Sequence, residues 1–267
     1  MNNFLNFKKA ISDFLNSDAI GRTHMPFIFY NKNKKYIFFD IRYGDEWKLH
    51  VYDGKTVKRI QTPINHIHIS ECNSMVYYDN DLYHFTYTCN NMTKGHRQII
   101  HATGKNLTNL NWQEPLEYEI GLINEKYVCA GYISNNGKGG KISFYNHNNE
   151  SIQNCINDDN KIFDIESKYH FAKMGFISGQ PDKIIVTYAN QFNLVDVEGS
   201  CLIDVPNKTV QEIKIKNGDT SYKASIDPIT EECYYVKRLA GFEVRNIQVA
   251  QKDEYELIET DNIVIKN

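Results

Sequence analysis

The chain predicts an all-β fold, a five-bladed β-propeller with a short N-terminal α-helix, and three observations carry that expectation. Five times an apolar strand enters a polar tight turn and returns as a second, aromatic-rich strand. The turns are Asn31-Lys32-Asn33-Lys34, Asp79-Asn80-Asp81, Asn135-Asn136-Gly137-Lys138-Gly139-Gly140, Gly179-Gln180-Pro181-Asp182 and Asp227-Pro228-Ile229-Thr230-Glu231. Their centres lie about 47, 57, 44 and 48 residues apart, close to the length of a four-stranded blade. Aromatic residues make up 13% of the chain, with 18 Tyr and 14 Phe, a composition that suits strands. A two-sheet sandwich also contains many short strands, but its connections do not repeat at this period.

The elements follow in order. Phe4, Phe7, Ile11 and Phe14 recur at spacings of three and four, so residues 3–16 read as an amphipathic helix that must dock on the β body. Blade one spans strands near 25–30, 35–41, 47–52 and 57–60, with Asp53-Gly54 as a hairpin turn. Blade two takes strands near 74–78, 82–88, 97–102 and 116–120. Blade three begins at 127–133 and returns at 141–145, its outer half being polar and weakly patterned. Blade four uses 172–177, 183–188, 192–197 and 209–215, and blade five uses 222–226, 233–237, 244–250 and 256–258. The tail 262–266 is expected to pair back onto a neighbouring blade. No linker composition marks a boundary, so residues 1–267 read as a single propeller domain, with 1–20 as helix and lead-in and 21–267 as five blades.

A formal charge of −3 with both signs interspersed argues against nucleic-acid and membrane-surface partners. The N-terminal segment lacks a basic n-region followed by an apolar h-region, and no stretch reaches about 20 apolar residues. The expected compartment is cytoplasmic. Six cysteines are scattered singly, which suits buried free thiols rather than a metal site. The Asn-x-Ser/Thr triplets at Asn91, Asn106, Asn149 and Asn207 are then chance matches in an Asn-rich chain.

The segment from Ile99-Ile100-His101-Ala102-Thr103-Gly104 to Asn111-Trp112 resembles the third-strand signature of five-bladed glycosidase propellers, the group of arabinanases, β-xylosidases and invertases. There the Trp folds back to plug the edge between blades. The run Val76-Tyr77-Tyr78-Asp79-Asn80-Asp81-Leu82-Tyr83-His84-Phe85 is similar to that group's inner hairpin. The resemblance implies chemistry by two carboxylates flanking the scissile bond, with a third in support, at the starts of the innermost strands around a funnel. Here the corresponding segments read Arg22-Thr23-His24-Met25-Pro26, Ser70-Glu71-Cys72-Asn73, Tyr127-Val128-Cys129, Phe171-Ala172-Lys173 and Tyr222-Lys223. On that alignment the family's acid positions hold His24, Cys129 and Lys173, and Glu71 is the one acid.

Convergent cations in a concave site suit an anionic or highly hydroxylated ligand. The expected ligand-binding set is therefore Arg22, His24, Glu71, Asn73, Lys173 and Lys223, for a saccharide or other small anionic molecule, with no cofactor and no metal. The plainer reading is that each cation snorkels or pairs with a blade-edge carboxylate. If the chain is an enzyme of this frame, the catalytic pair is Glu71 as acid or base, assisted by His24. A third class is a protein-interaction platform, whose partner the sequence leaves unknown. His66, His68 and Glu71 have the alternation to grip a metal, with His24 or His84 as third ligand, although His-x-His is common on ordinary strands. Cys129 reads as a packed thiol before it reads as a nucleophile. Gly137-Lys138-Gly139-Gly140 is a hairpin turn, since no helix follows it.

Overall fold

The computed structural model describes residues 2–15, 23–44, 46–61, 73–91, 96–107, 109–134, 139–148, 151–190, 197–239 and 244–267. Among them the strands form five antiparallel sheets, the five blades of a propeller. Helix α1, Asn2–Leu15, precedes blade one, which runs β1 (Thr23–Asn31), β2 (Lys34–Tyr43), β3 (Glu46–Tyr52) and β4 (Val57–Arg59) from the inside outward. Blade two runs β5 (Asn73–Asp79), β6 (Leu82–Asn91), β7 (His96–Asn106) and β8 (Asn109–Trp112). Blade three runs β9 (Ile120–Ile123), β10 (Tyr127–Tyr132), β11 (Lys141–Asn146) and β12 (Lys161–Glu166), with the short helix α2 (Ile152–Cys155) between its last two strands. Blade four runs β13 (His170–Ile177), β14 (Gln180–Ala189), β15 (Glu198–Asp204) and β16 (Thr209–Ile215). Blade five has three strands, β17 (Ser225–Ile226), β18 (Cys233–Leu239) and β19 (Val244–Ala250). The chain then returns, adding β20 (Tyr255–Glu259) to blade four and β21 (Val264–Lys266) to blade three.

The first two hairpins form where expected, for a local reason. Lys32 and Asn33 sit at φ +46° and +66°, and Asn80 and Asp81 at +49° and +60°. Two consecutive left-handed residues make the tight turn that matches the twist of paired strands, and Asn and Asp tolerate it best.

Four strand assignments change. The outer strand of blade two is Asn109–Trp112, while 116–120 contributes only a bridge from Leu116 to Ile99 before β9 begins. The innermost strand of blade three is thus β9, a short run of four buried residues, and the strand beginning at Tyr127 is its second. The third strand of blade four is Glu198–Asp204 rather than 192–197; residues 191–196 lie outside the described residues. Residues 256–258 belong to the outer edge of blade four, because β16 offers its free edge there. The long interval before the third turn arises because that turn joins β10 and β11, the second and third strands of blade three, whereas the innermost hairpin of the blade lies between β9 and β10.

Side-chain ties show how the innermost strands are oriented. At their far ends Asn31 Nδ2 donates to Tyr83 Oη (2.8 Å), Asn124 Nδ2 to the Pro181 carbonyl (3.0 Å), and Tyr30 Oη to the Asp227 carboxylate (3.1 Å). Those contacts join blades one and two, three and four, and one and five at the hairpin turns. The innermost strands therefore start together on the opposite face, here the strand-start face.

Helix α1 covers the seam between blades one and five. Phe7 and Ile11 are buried, with Phe7 edge-on to Phe39 (5.0 Å) and beside Tyr52 (5.4 Å), while Phe4 meets Tyr234 (6.2 Å). Its polar face carries a solvated Lys9–Asp13 pair one turn apart. Near the hairpin turns the same seam is clasped by Lys35, whose Nζ lies 2.5 Å from Asp227 Oδ2. Trp112 packs edge-on to Phe85 (5.5 Å) and Tyr87 (6.3 Å), filling the flank of blade two. Cys129, Cys155, Cys201 and Cys233 are free and buried, and no described helix is long and apolar enough to cross a membrane.

Candidate functional site

The innermost strands of blades one, four and five meet in a buried cluster of ionisable side chains. It begins with an irregularity in β1. Met25 takes φ +54°, and the β1–β2 register breaks between His24 and Phe27. Pro26 has no N–H to give the ladder, and the left-handed residue before it turns the chain. The Pro26 carbonyl is thereby turned toward Lys173 of β13, which donates to it and also to the carbonyls of Lys223 (3.2 Å) and Ala224 (3.1 Å). An ammonium has three N–H donors, and all three serve backbone carbonyls of two other blades.

Lys223 completes the arrangement. It too has a left-handed backbone, φ +56°, which lifts it out of the line of β17. Its Nζ lies 2.5 Å from His24 Nε2, and both side chains are 0% exposed. One nitrogen of this contact donates and the other accepts, so the two basic groups share a proton-bearing hydrogen bond. The ring leans on Trp47 with centroids 4.7 Å apart. Asp40 is paired with His24 in the β1–β2 register and is fully buried. Burial pulls Lys173 from its ordinary 10.5 down to about 7, against the opposing influence of Cys233 and Asp40. The result is one imidazole, two lysine side chains and one acid, all buried where three blades meet.

The other expected residues fall unevenly around this cluster. Arg22 and Glu71 lie outside the described residues, as do His66 and His68. Asn73 opens β5, so its backbone is at the strand-start face. Cys129 sits on the second strand of blade three with its thiol fully buried and pushed well up by desolvation, as a packed residue and not a nucleophile. No group of three metal-ligating side chains converges among the described residues.

Because blade three begins at β9, its approach is Leu116-Glu117-Tyr118-Glu119, which brings an acid that the sequence reading did not place there. Glu119 Oε2 accepts from the Ile133 N–H (2.8 Å) and Glu117 Oε1 from Gln98 Nε2 (2.6 Å). Asp40 was also overlooked, although an acid inside Ile37-Phe38-Phe39-Asp40-Ile41 is the kind of buried charge that needs a partner.

Comparison with protein-family models and with curated proteins finds no match. Solved structures do match. A thermostable family-43 glycoside hydrolase superposes with a TM-score of 0.56 at 12% identity, over 92% of this chain and 93% of that one. A GH43_1 enzyme from Xanthomonas citri complexed with xylotriose gives 0.55 at 10% identity, over 86% of each chain. The fold is that of five-bladed glycosidase propellers. A galactose-bound or galactotriose-bound exo-β-1,3-galactanase from Phanerochaete chrysosporium shares it, the latter at 0.57 and 9% identity over 90% of this chain and 63% of that one. Identities this low speak for the glycosidase-like propeller frame and leave the chemistry to the residues themselves.

Proposed function

We propose that this glycosidase-like propeller binds a saccharide or small anionic sugar on its strand-start face, above a floor made by the His24–Lys223 pair. The observation that carries the reading is that pair: two basic groups locked 2.5 Å apart where the innermost strands of blades one and five meet. Two propellers of the same fold hold oligosaccharides, xylotriose in one and β-1,3-galactotriose in the other. Lys173 acts in this reading as a strut that holds the floor together, since its donors are engaged by carbonyls. Arg22, Glu71 and Asn73 belong to the ligand-binding set of this reading on the strength of their sequence positions.

A hydrolytic reading is favoured by one feature, the acids Glu117 and Glu119 at the approach to β9 together with Glu71 at the approach to β5. Two carboxylates on opposite sides of a sugar are what glycoside cleavage requires. Calorimetric titration with xylotriose, β-1,3-galactotriose and trigalacturonate, with product analysis of the same mixtures, separates the two. Binding without products, weakened about tenfold or more by Lys223→Met, is the expected result. Turnover abolished by Glu71→Gln or Glu119→Gln would instead establish hydrolysis. Silence toward all three sugars would remove the carbohydrate reading.

A further inference from the structure

On the opposite face, between blades two and three, a cavity of about 390 Å³ opens at the hairpin turns. From the geometry of this cavity we propose a second ligand site, for a small organic cation carrying a primary ammonium group, held by Glu125, Asp79 and the imidazoles of His84 and His101. It is separate from the strand-start face, because Asp79 ends β5 and Glu125 lies in the turn that follows β9.

The cavity is rich in lone pairs that lack donors. Glu125 Oε2 is buried without a hydrogen-bond partner, and so is Nδ1 of His84. His101 is only 7% exposed and sits beside the Gln113 side chain, yet neither ring nitrogen completes a hydrogen bond. Buried polar atoms are almost always satisfied, so several orphans lining one cavity mark a place where a ligand's donors belong. His147 directs Nδ1 to the Asn124 carbonyl (2.7 Å), which leaves Nε2 as another acceptor when the ring is neutral.

Charge selects the class. The described residues lining the cavity include two acids and no Lys or Arg. Burial pushes His101 down to about 4 and lowers His84, so near neutral pH these rings contribute lone pairs and no positive charge. Burial raises Glu125, with nearby Asp79 adding to the shift and Lys126 opposing it, as expected of a carboxylate short of a cation inside its own pocket. An anion would meet repulsion here. An ammonium group brings only donors and a positive charge, which relieves both carboxylates. Tyr77 stacks on His84 (centroids 4.4 Å, 12° between planes), giving an aromatic wall, and Ile152 offers an apolar surface for an alkyl chain.

The test uses the full chain and putrescine as the probe, followed by calorimetry and by NMR of the histidine ring protons. Saturable binding is expected, with shifts at His84 and His101, weakened about tenfold or more in Glu125→Gln. Asp79→Asn, at an exposed turn where folding is not at stake, should weaken it as well. No binding at 10 mM putrescine, on the order of the weakest affinity that still counts as a site, would overturn the proposal. So would equal affinity in both charge variants, or binding of neutral xylose in place of putrescine. None of these outcomes bears on the sugar titrations at the strand-start face.

Discussion

Lys173 carries a consequence that can be measured. Its ordinary value of 10.5 holds in the unfolded chain, whereas the buried amine falls to about 7. Between those values the unfolded state binds more protons, so stability rises with pH across that window. The penalty for burying the charge is complete below about pH 7 and gone above about 10.5. Lys173→Met should therefore lack this rise, seen as a flatter pH dependence of the urea midpoint from pH 7 to pH 10. It should also cost about 2 kcal/mol at high pH, where the neutral amine's two N–H groups still serve carbonyls among those of Pro26, Lys223 and Ala224. A midpoint that moves with pH equally in both proteins would refute the assignment. At this scale the sequence was half legible. His24, Lys173 and Lys223 could be grouped from blade register, since each follows an approach segment at a comparable place in its repeat. That Lys173 spends its donors on carbonyls depends on the left-handed turns at Met25 and Lys223, which no residue type announces; φ > 0 at Met or Lys is a product of tertiary context.

At the scale of elements, α1 behaves as a lid on a seam rather than as a helix stable by itself. Fourteen residues are too few to hold a helix in water without packing. Phe7, wedged between Phe39 and Tyr52, is the residue that anchors it. Phe7→Ala should lower stability by about 3–5 kcal/mol and loosen blade five before the others. Limited proteolysis should then cut within 216–254 first; uniform cleavage across all blades would contradict this. The helix was readable because a three-four spacing of Phe and Ile admits one periodicity. The inner hairpins of blades one and two were readable because Asn-rich turns carry their own conformation. Blade three was not. Its innermost strand has four residues, Ile-Gly-Leu-Ile, too short to declare a period, and the more extended Tyr127–Tyr132 run drew the reading outward. That single slip hid Glu119 from the list of candidate site residues.

For the whole molecule, the path of the chain matters more than the number of blades. Lys214 of β16 faces Glu256 of β20, so the intervening residues leave blade four and return to the same sheet beside the point of departure. Sequence periodicity could not show this, because β20 reads as one more strand of the last repeat. The final strand, β21, then reaches blade three, with the Ser167 hydroxyl donating to the Asn262 carbonyl (2.6 Å) and Asn262 Nδ2 donating to Tyr188 Oη (2.8 Å). Hydrogen exchange should separate two levels of protection, with β17–β19 opening at lower free energy than β13–β15; identical protection in both would refute it. The deeper implication concerns modularity. Blade five is a cassette spliced between neighbouring strands, and a cassette whose two stems already touch can be unfolded, exchanged or rebuilt while the remaining sectors stay stitched together.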